Sequence, residues 1–143
     1  MPVTENRILA GIYSRIKIRI ALIAIDGKKA DMVSIVMKRL SFFNESSVEL
    51  VATGTTGQML LDVRIDKIQR VASGPMGGDA EIGAMVSRGK MDATIFFRDP
   101  LDKHPQDLDI SMLMRLCDVH NIPLATNQKT AKIVVSYCGS TID

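Results

Sequence analysis

Apolar residues along the chain follow two patterns, short continuous runs and stretches with helical spacing. Residues 18–25 form a run that is apolar except for Arg19 and rich in β-branched side chains, which is typical of a strand buried on both faces of a parallel sheet. The next apolar positions recur at the spacing of one helix face: Met32, Val33, Val36 and Leu40. The pattern therefore predicts a strand, a polar loop and then a helix.

The same unit is repeated to the end of the chain. Further strands are predicted at residues 48–52, 68–71, 93–97 and 123–125. Helical apolar spacing lies between and after them, around residues 59–63, 82–86, 110–117 and 130–135. Because strands that alternate with helices form right-handed crossovers, we predict a single doubly wound α/β domain. Its mostly parallel five-stranded sheet should carry helices on both faces.

Composition fits one globular domain and excludes several classes of function. The 143 residues are 46% hydrophobic and 24% charged, as in ordinary globular proteins. A net charge of +2 and the absence of Trp give neither a basic stripe nor a stacking platform, so no nucleic-acid partner is expected. The longest apolar run, residues 20–25, is too short to span a membrane, so no membrane partner is expected.

The ends and the cysteines complete this picture. Residues 1–16 lack a basic stretch followed by an apolar one, so they do not resemble a secretory signal. We expect them to form an N-terminal extension to a domain of residues 17–143. Cys117 and Cys138 have no zinc-binding spacing and are expected to be free, buried thiols in a reducing cytoplasm.

The residues with the most distinctive chemistry all follow predicted strands. They are Asp26, Lys29, residues 53–57, residues 73–79 and Asp99. The carboxyl ends of parallel strands meet at one edge of the sheet, where ligands bind. Glycine-rich segments bring backbone N–H groups close to an anion, and Thr and Ser hydroxyls and a helix N-terminus add to the site. With the positive charge of Lys29, these features predict a phosphate site.

Plainer explanations exist for each feature taken singly. Glycine- and threonine-rich segments also serve as turns and helix caps, and neither segment matches a nucleotide-binding motif. Asp26, Asp79 and Asp99 are equally typical of helix caps or salt bridges. His120 is expected to be a packed, hydrogen-bonded core residue. His104 lies in a proline-containing loop and is consistent with either a solvated residue or a site residue.

Three motifs resemble those of the methylglyoxal synthase family in residue type, order and spacing. They are A-T-G-T-T-G at residues 52–57, S-G-P-M-G-G-D at residues 73–79 and F-F-R-D-P-L at residues 96–101. The resemblance continues through residues 122–127 and covers about residues 17–135.

The resemblance implies a homohexamer that converts dihydroxyacetone phosphate to methylglyoxal and inorganic phosphate without a metal or organic cofactor. In that reaction a carboxylate removes a C3 proton, and the resulting enediolate expels phosphate. Asp79 matches the family's catalytic base. The phosphate site matches Lys29, Thr53, Gly54, Thr55, Thr56, Ser73 and Gly74. Further carboxylates that line the same pocket match Asp26, Asp99 and Asp109.

The chain departs from the family pattern at two positions. Ile25 and Gln106 stand where the family has histidines that polarise the substrate carbonyl. Loss of one such donor typically costs about 10²–10³ in rate. Two hypotheses follow: a methylglyoxal synthase with reduced activity, and a catalytically silent protein that binds phosphate or a metabolite on the same fold. A purely structural role leaves Asp79 and the threonine-rich segment without a reason.

Overall fold

The computed structural model describes residues 17–25, 27–73, 76–101 and 107–142 of the chain. Strands and helices alternate through these ranges. The strands are β1 (Ile18–Ala24), β2 (Val48–Thr53), β3 (Gln69–Val71), β4 (Ala93–Phe97) and β5 (Leu124–Ala125). The helices are α1 (Lys29–Lys38), α2 (Leu40–Phe43), α3 (Gly54–Asp62), α4 (Gly78–Ser87), α5 (Asp107–His120) and α6 (Gln128–Ile142). The predicted alternation is confirmed.

The five strands form one sheet in the order β3-β2-β1-β4-β5. Each pairing between these strands is parallel. The chain builds outward from β1 to β3 on one side and then crosses to β4 and β5 on the other. The strand order therefore reverses between β1 and β4, and ligands of such sheets bind outside the carboxyl ends of the strands at this point.

Helices cover both faces of the sheet, which confirms the doubly wound arrangement. Ile20 and Leu22 of β1 pack with α1, α2, α3 and α6 in one apolar cluster. Ala21 and Ile23, which point to the other face, pack with α4 and α5 in a second cluster. Successive residues of β1 thus meet apolar layers on opposite sides, and this explains why residues 20–24 of the strand are all apolar.

Two boundaries differ from the prediction. Residues 53–57 do not form a loop, because Thr53 ends β2 and α3 begins at once with Gly54. Asp79 likewise lies inside α4 and not in a loop before it. Gly and Thr are weak helix formers, so their composition pointed to a loop, whereas packing of the helix on the sheet determines the outcome.

A charged cluster fixes the register of β1 and β2 at their amino ends. Arg19 pairs in register with Glu49 and donates from Nε and Nη2 to Glu49 Oε2 over 3.0 and 2.7 Å. Lys17 adds a longer ion pair of 3.6 Å to the same carboxylate. The hydrogen bonds from Arg19 lower the pKa of Glu49. These charges lie at the edge of the sheet opposite the predicted site.

Candidate functional site

The carboxyl edge of the sheet brings together most of the segments singled out in the sequence. It is formed by the ends of β1, β2, β3 and β4, which are adjacent in the sheet. The amide of Ile25 continues the β1–β4 pairing by donating to Phe97 O over 3.1 Å. The chain then turns at Gly27, whose φ of +87° suits glycine, and enters α1 at Lys29.

Lys29 is directed back to the end of β1. Its Nζ donates to the carbonyl oxygen of Ala24 over 3.0 Å. The same carbonyl accepts a hydrogen bond from Thr56 Oγ1 over 3.1 Å. The predicted cation of the site and the threonine-rich segment are therefore joined through one peptide oxygen of β1.

The N-terminus of α3 points to the same edge. Thr53 adopts an extended conformation, and in the described part of the chain its side chain does not cap the helix. Its hydroxyl donates to Thr56 Oγ1 over 3.3 Å. The first N–H groups of a helix have no intrahelical acceptor and carry partial positive charge. This helix start is therefore suited to bind an anion.

The segment after β3 links α3 to α4. The amide of Gly54 donates to Ala72 O over 3.4 Å, and the amide of Gly78 donates to Ser73 O over 2.9 Å. A Cβ on Gly78 would lie 1.9 Å from Ala72 O, so only glycine allows this approach of two backbones. The N-termini of the two helices are thereby fixed to two consecutive residues, Ala72 and Ser73. Ser73 is also one of the predicted phosphate ligands.

Asp79 lies in the first turn of α4 and is only 3% exposed. Buried carboxylates are uncommon in proteins and are found with specific partners. Glu81, in the same turn, is exposed and accepts a hydrogen bond from the Ala72 amide over 3.4 Å. The two acidic residues therefore differ: Glu81 braces the segment after β3, and Asp79 is enclosed at the carboxyl edge.

The remaining predicted carboxylates have different outcomes. Asp99 follows β4, as expected, and its Oδ1 accepts a hydrogen bond from the amide of Leu101 over 2.9 Å. This bond stabilises the local turn, a role different from the helix cap or salt bridge considered from the sequence. The backbone of Asp109 lies in the first turn of α5, but its side chain lies outside the described part. Asp26 and Gly74 also lie outside the described residues.

His120 does not add to the site. His120 is exposed at the C-terminal end of α5, so the expectation of a packed core residue is wrong. A basic side chain in the last turn of a helix is favoured by the helix dipole, which gives His120 a simpler explanation. His104 and Gln106 lie outside the described ranges.

Sequence reasoning missed the Ala24 carbonyl, which is the point where Lys29 and Thr56 meet. A backbone oxygen leaves no mark in residue type, so only the tertiary arrangement reveals it. Both cysteines are free and buried, as predicted, and burial raises the pKa of each thiol. Neither is placed among the site residues.

A cavity of about 480 Å³ lies at the opposite edge of the sheet. It is lined by the starts of β1 and β2 and by the residues before β3, including the Arg19–Glu49 pair. Its charged side chains carry both signs and already pair with one another in part. Since parallel sheets bind ligands at the carboxyl edge, we do not assign the predicted chemistry to this cavity.

The described residues contain neither a metal-binding cluster nor a membrane-spanning helix. Among these residues, no group of three or more His, Cys, Asp or Glu side chains is placed to bind a metal ion. No helix within the described ranges is long and apolar enough to cross a membrane.

Comparisons with known proteins agree with the motifs. Residues 35–126 match the family described as MGS-like domain. A methylglyoxal synthase of Moorella thermoacetica is 49% identical over 119 residues, which cover 83% of this chain and 91% of that protein. A methylglyoxal synthase of Borrelia garinii subsp. bavariensis is 52% identical over 117 residues, covering 82% and 91% of the two chains.

A solved structure is also similar. The crystal structure of a methylglyoxal synthase from Elizabethkingia anophelis NUHP1 matches with a TM-score of 0.77 and 39% sequence identity. The match covers 84% of this chain and 78% of that one. The chain therefore shares its fold with that methylglyoxal synthase.

The close approach at Gly78 generates a test of the site's framework. We expect Gly78→Ala to lower the free energy of unfolding by at least about 2 kcal/mol, because the new methyl group would overlap a backbone oxygen. Urea denaturation measures this loss. Gly83→Ala in the same helix is the control, since its methyl group would meet only the flexible side chains of Met112 and Leu116. Equal stability of the two variants would contradict the argument.

Proposed function

Because the chain belongs to the MGS-like domain family, we propose that it is a methylglyoxal synthase. It converts dihydroxyacetone phosphate to methylglyoxal and inorganic phosphate at the carboxyl edge of the sheet. One observation carries the proposal: a buried aspartate, Asp79, begins a helix that is tied through the residues after β3 to the anion-binding start of α3. A phosphate subsite and a candidate base thus share one edge.

The substrate phosphate binds at the N-terminus of α3. The uncapped N–H groups there, together with the Lys29 ammonium, provide the positive potential that a phosphate requires. The proposed ligands are those of the family motif: Lys29, Thr53, Gly54, Thr55, Thr56, Ser73 and Gly74. Thr56 takes part through its backbone N–H, since its hydroxyl bonds within the protein. The contact of Gly54 with the backbone of Ala72 supports a joint site for the residues that follow β2 and β3.

Asp79 acts as the catalytic base. The carboxylate takes the proton from C3 of the substrate, and the C–H electron pair forms the C2–C3 double bond while negative charge moves to the C2 oxygen. The C3 hydroxyl then loses its proton and its oxygen forms the C3 carbonyl, while the double bond shifts to C1–C2 and the C1–O bond breaks to release inorganic phosphate. The remaining enol takes up a proton at C1 and gives methylglyoxal. The N-terminus of α4 stabilises negative charge, which suits a carboxylate that must accept a proton. Asp26, Asp99 and Asp109 line the rest of the pocket in this proposal.

The protein acts in the cytoplasm, without a metal or organic cofactor. The two free thiols support this location, since a reducing compartment preserves them.

A second candidate function is a silent phosphate- or metabolite-binding protein on the same fold. The observation in its favour is Ile25, which is partly buried against the apolar cluster beneath α4 and α5. An aliphatic side chain at this position cannot donate a hydrogen bond to the carbonyl of a substrate. The two functions differ in turnover and not in phosphate affinity, so mutants separate them.

The role of the base is tested by Asp79→Asn. We expect turnover to be abolished while the Kd for inorganic phosphate stays nearly unchanged, because the carboxylate accepts a proton but does not bind an anion. Steady-state kinetics and calorimetric titration with phosphate measure the two quantities. Glu81→Gln removes the same charge from the same helix turn and should retain activity. An Asp79→Asn enzyme within about tenfold of the parent would reject the assignment, since loss of a general base typically costs 10²–10⁴.

The missing imidazoles lead to a second prediction. We expect kcat of the parent to be at least about 10²-fold below that of the Moorella thermoacetica relative assayed alongside, for loss of one donor. Ile25→His combined with Gln106→His should raise kcat with little change in KM, since the added donors act chiefly in the transition state. Ile25→Leu is the control and should bring no gain. Parent activity equal to that of the relative would contradict this explanation.

We also propose that the subunits assemble as a homohexamer, as the family resemblance implies. Light scattering coupled to gel filtration should give a mass near six times the 15.7 kDa of one chain. A monomer at micromolar concentration would contradict the proposed assembly.

A further inference from the structure

Thr56 differs from its neighbour Thr55 because its side chain is fully buried. It is 0% exposed, whereas the neighbouring Thr55 is exposed. A residue that binds a ligand through its hydroxyl must present that hydroxyl to the ligand. Because Thr56 is buried, its hydroxyl is not presented to solvent.

The hydrogen bonds of the Thr56 hydroxyl lie within the protein. Oγ1 donates to Ala24 O over 3.1 Å and accepts from the Ala24 amide over 3.3 Å. It also accepts from Thr53 Oγ1 over 3.3 Å. A hydroxyl has one hydrogen to donate and two lone pairs, so these three bonds use its full capacity. The Thr56 hydroxyl therefore has no hydrogen-bonding capacity left for a substrate oxygen.

The Ala24 carbonyl transmits this arrangement to Lys29. It accepts from Thr56 Oγ1 and from Lys29 Nζ, the latter over 3.0 Å. With two lone pairs the carbonyl oxygen is filled by these two donors. The Thr56 hydroxyl fixes the backbone of Ala24 through both its N–H and its C=O, and the orientation of that carbonyl sets the position of the Lys29 ammonium.

We propose that Thr56 is a positioning residue, whose hydroxyl holds the Ala24 carbonyl and thereby places the Lys29 ammonium at the phosphate subsite. This inference rests on the proposed function only in taking that subsite as the place where Lys29 acts. The phosphate meets the backbone N–H groups at the start of α3 and the Lys29 ammonium, and it does not meet the Thr56 hydroxyl.

The test is a double-mutant cycle read by titration calorimetry with inorganic phosphate. Thr56→Val keeps the shape of the side chain and removes the hydroxyl, and we expect the Kd for phosphate to rise about tenfold. In a Lys29→Met background the same substitution should change the Kd less than about twofold, because the hydroxyl acts only through the ammonium. Thr56→Ser retains the hydroxyl and should restore the parent Kd.

The exposed Thr55 provides the contrast. Its hydroxyl lies one residue away in the same helix turn, and Thr55→Val should weaken phosphate binding by the same factor with and without Lys29. If the effect of Thr56→Val is equally large in both backgrounds, Thr56 contacts the anion directly and the inference is overturned. Failure of Thr56→Ser to restore binding would overturn it as well.

A fallback variant and an assay of turnover distinguish failure of the positioning role from failure of the proposed function. Should Thr56→Val fail to fold, Thr56→Cys carries the same cycle, since a thiol is close in size but a weaker hydrogen-bonding group. The coupling to Lys29 with no turnover of dihydroxyacetone phosphate would support the positioning role and reject the proposed enzyme. A parent protein that binds no phosphate at millimolar concentration would overturn both.

Discussion

The backbone N–H and C=O of Ala24, at the carboxyl end of β1, join the sheet to the site. Its amide and carbonyl both bond to the Thr56 hydroxyl, and its carbonyl also accepts from Lys29. Through these bonds the central strand, the start of α1 and the start of α3 have fixed relative positions. Ala24 is buried among apolar residues, where unpaired backbone polar groups are costly. The need to satisfy this peptide therefore brings a cation and a helix N-terminus together.

A second constraint acts at the end of β3. The close approach of Gly78 to the Ala72 carbonyl allows α4 to begin directly beside α3. Asp79 follows immediately and is buried as a result. The proposed phosphate subsite and the proposed base are thus placed by backbone packing, and the chemical side chains follow from it. In the proposed function, Ile25 lacks the hydrogen-bond donor that would polarise the substrate carbonyl.

Much of the fold could be predicted from the sequence, because a strand that is buried on both faces consists mainly of apolar residues. The continuous apolar run of β1 identified a central parallel strand, and the apolar spacing identified the helices on both faces. Residue type could not predict that Thr56 turns inward and Thr55 outward, since this depends on the pairing of the Ala24 peptide. Nor could it predict that α3 starts at Gly54, because packing on the sheet overrides a weak helix propensity. His120 was misjudged because helical spacing alone does not show where the neighbouring layer ends.

In the proposed function, the carboxyl edge of the sheet eliminates phosphate from a triose phosphate. The most direct measurement incubates the purified protein with dihydroxyacetone phosphate and follows methylglyoxal and inorganic phosphate together, with the substrate alone as the reference. We expect methylglyoxal and inorganic phosphate to be released in equal amounts, at a rate that is proportional to protein concentration and above that of the substrate alone. Saturable phosphate binding without any release of methylglyoxal above the reference would contradict it and identify the chain as a binding protein.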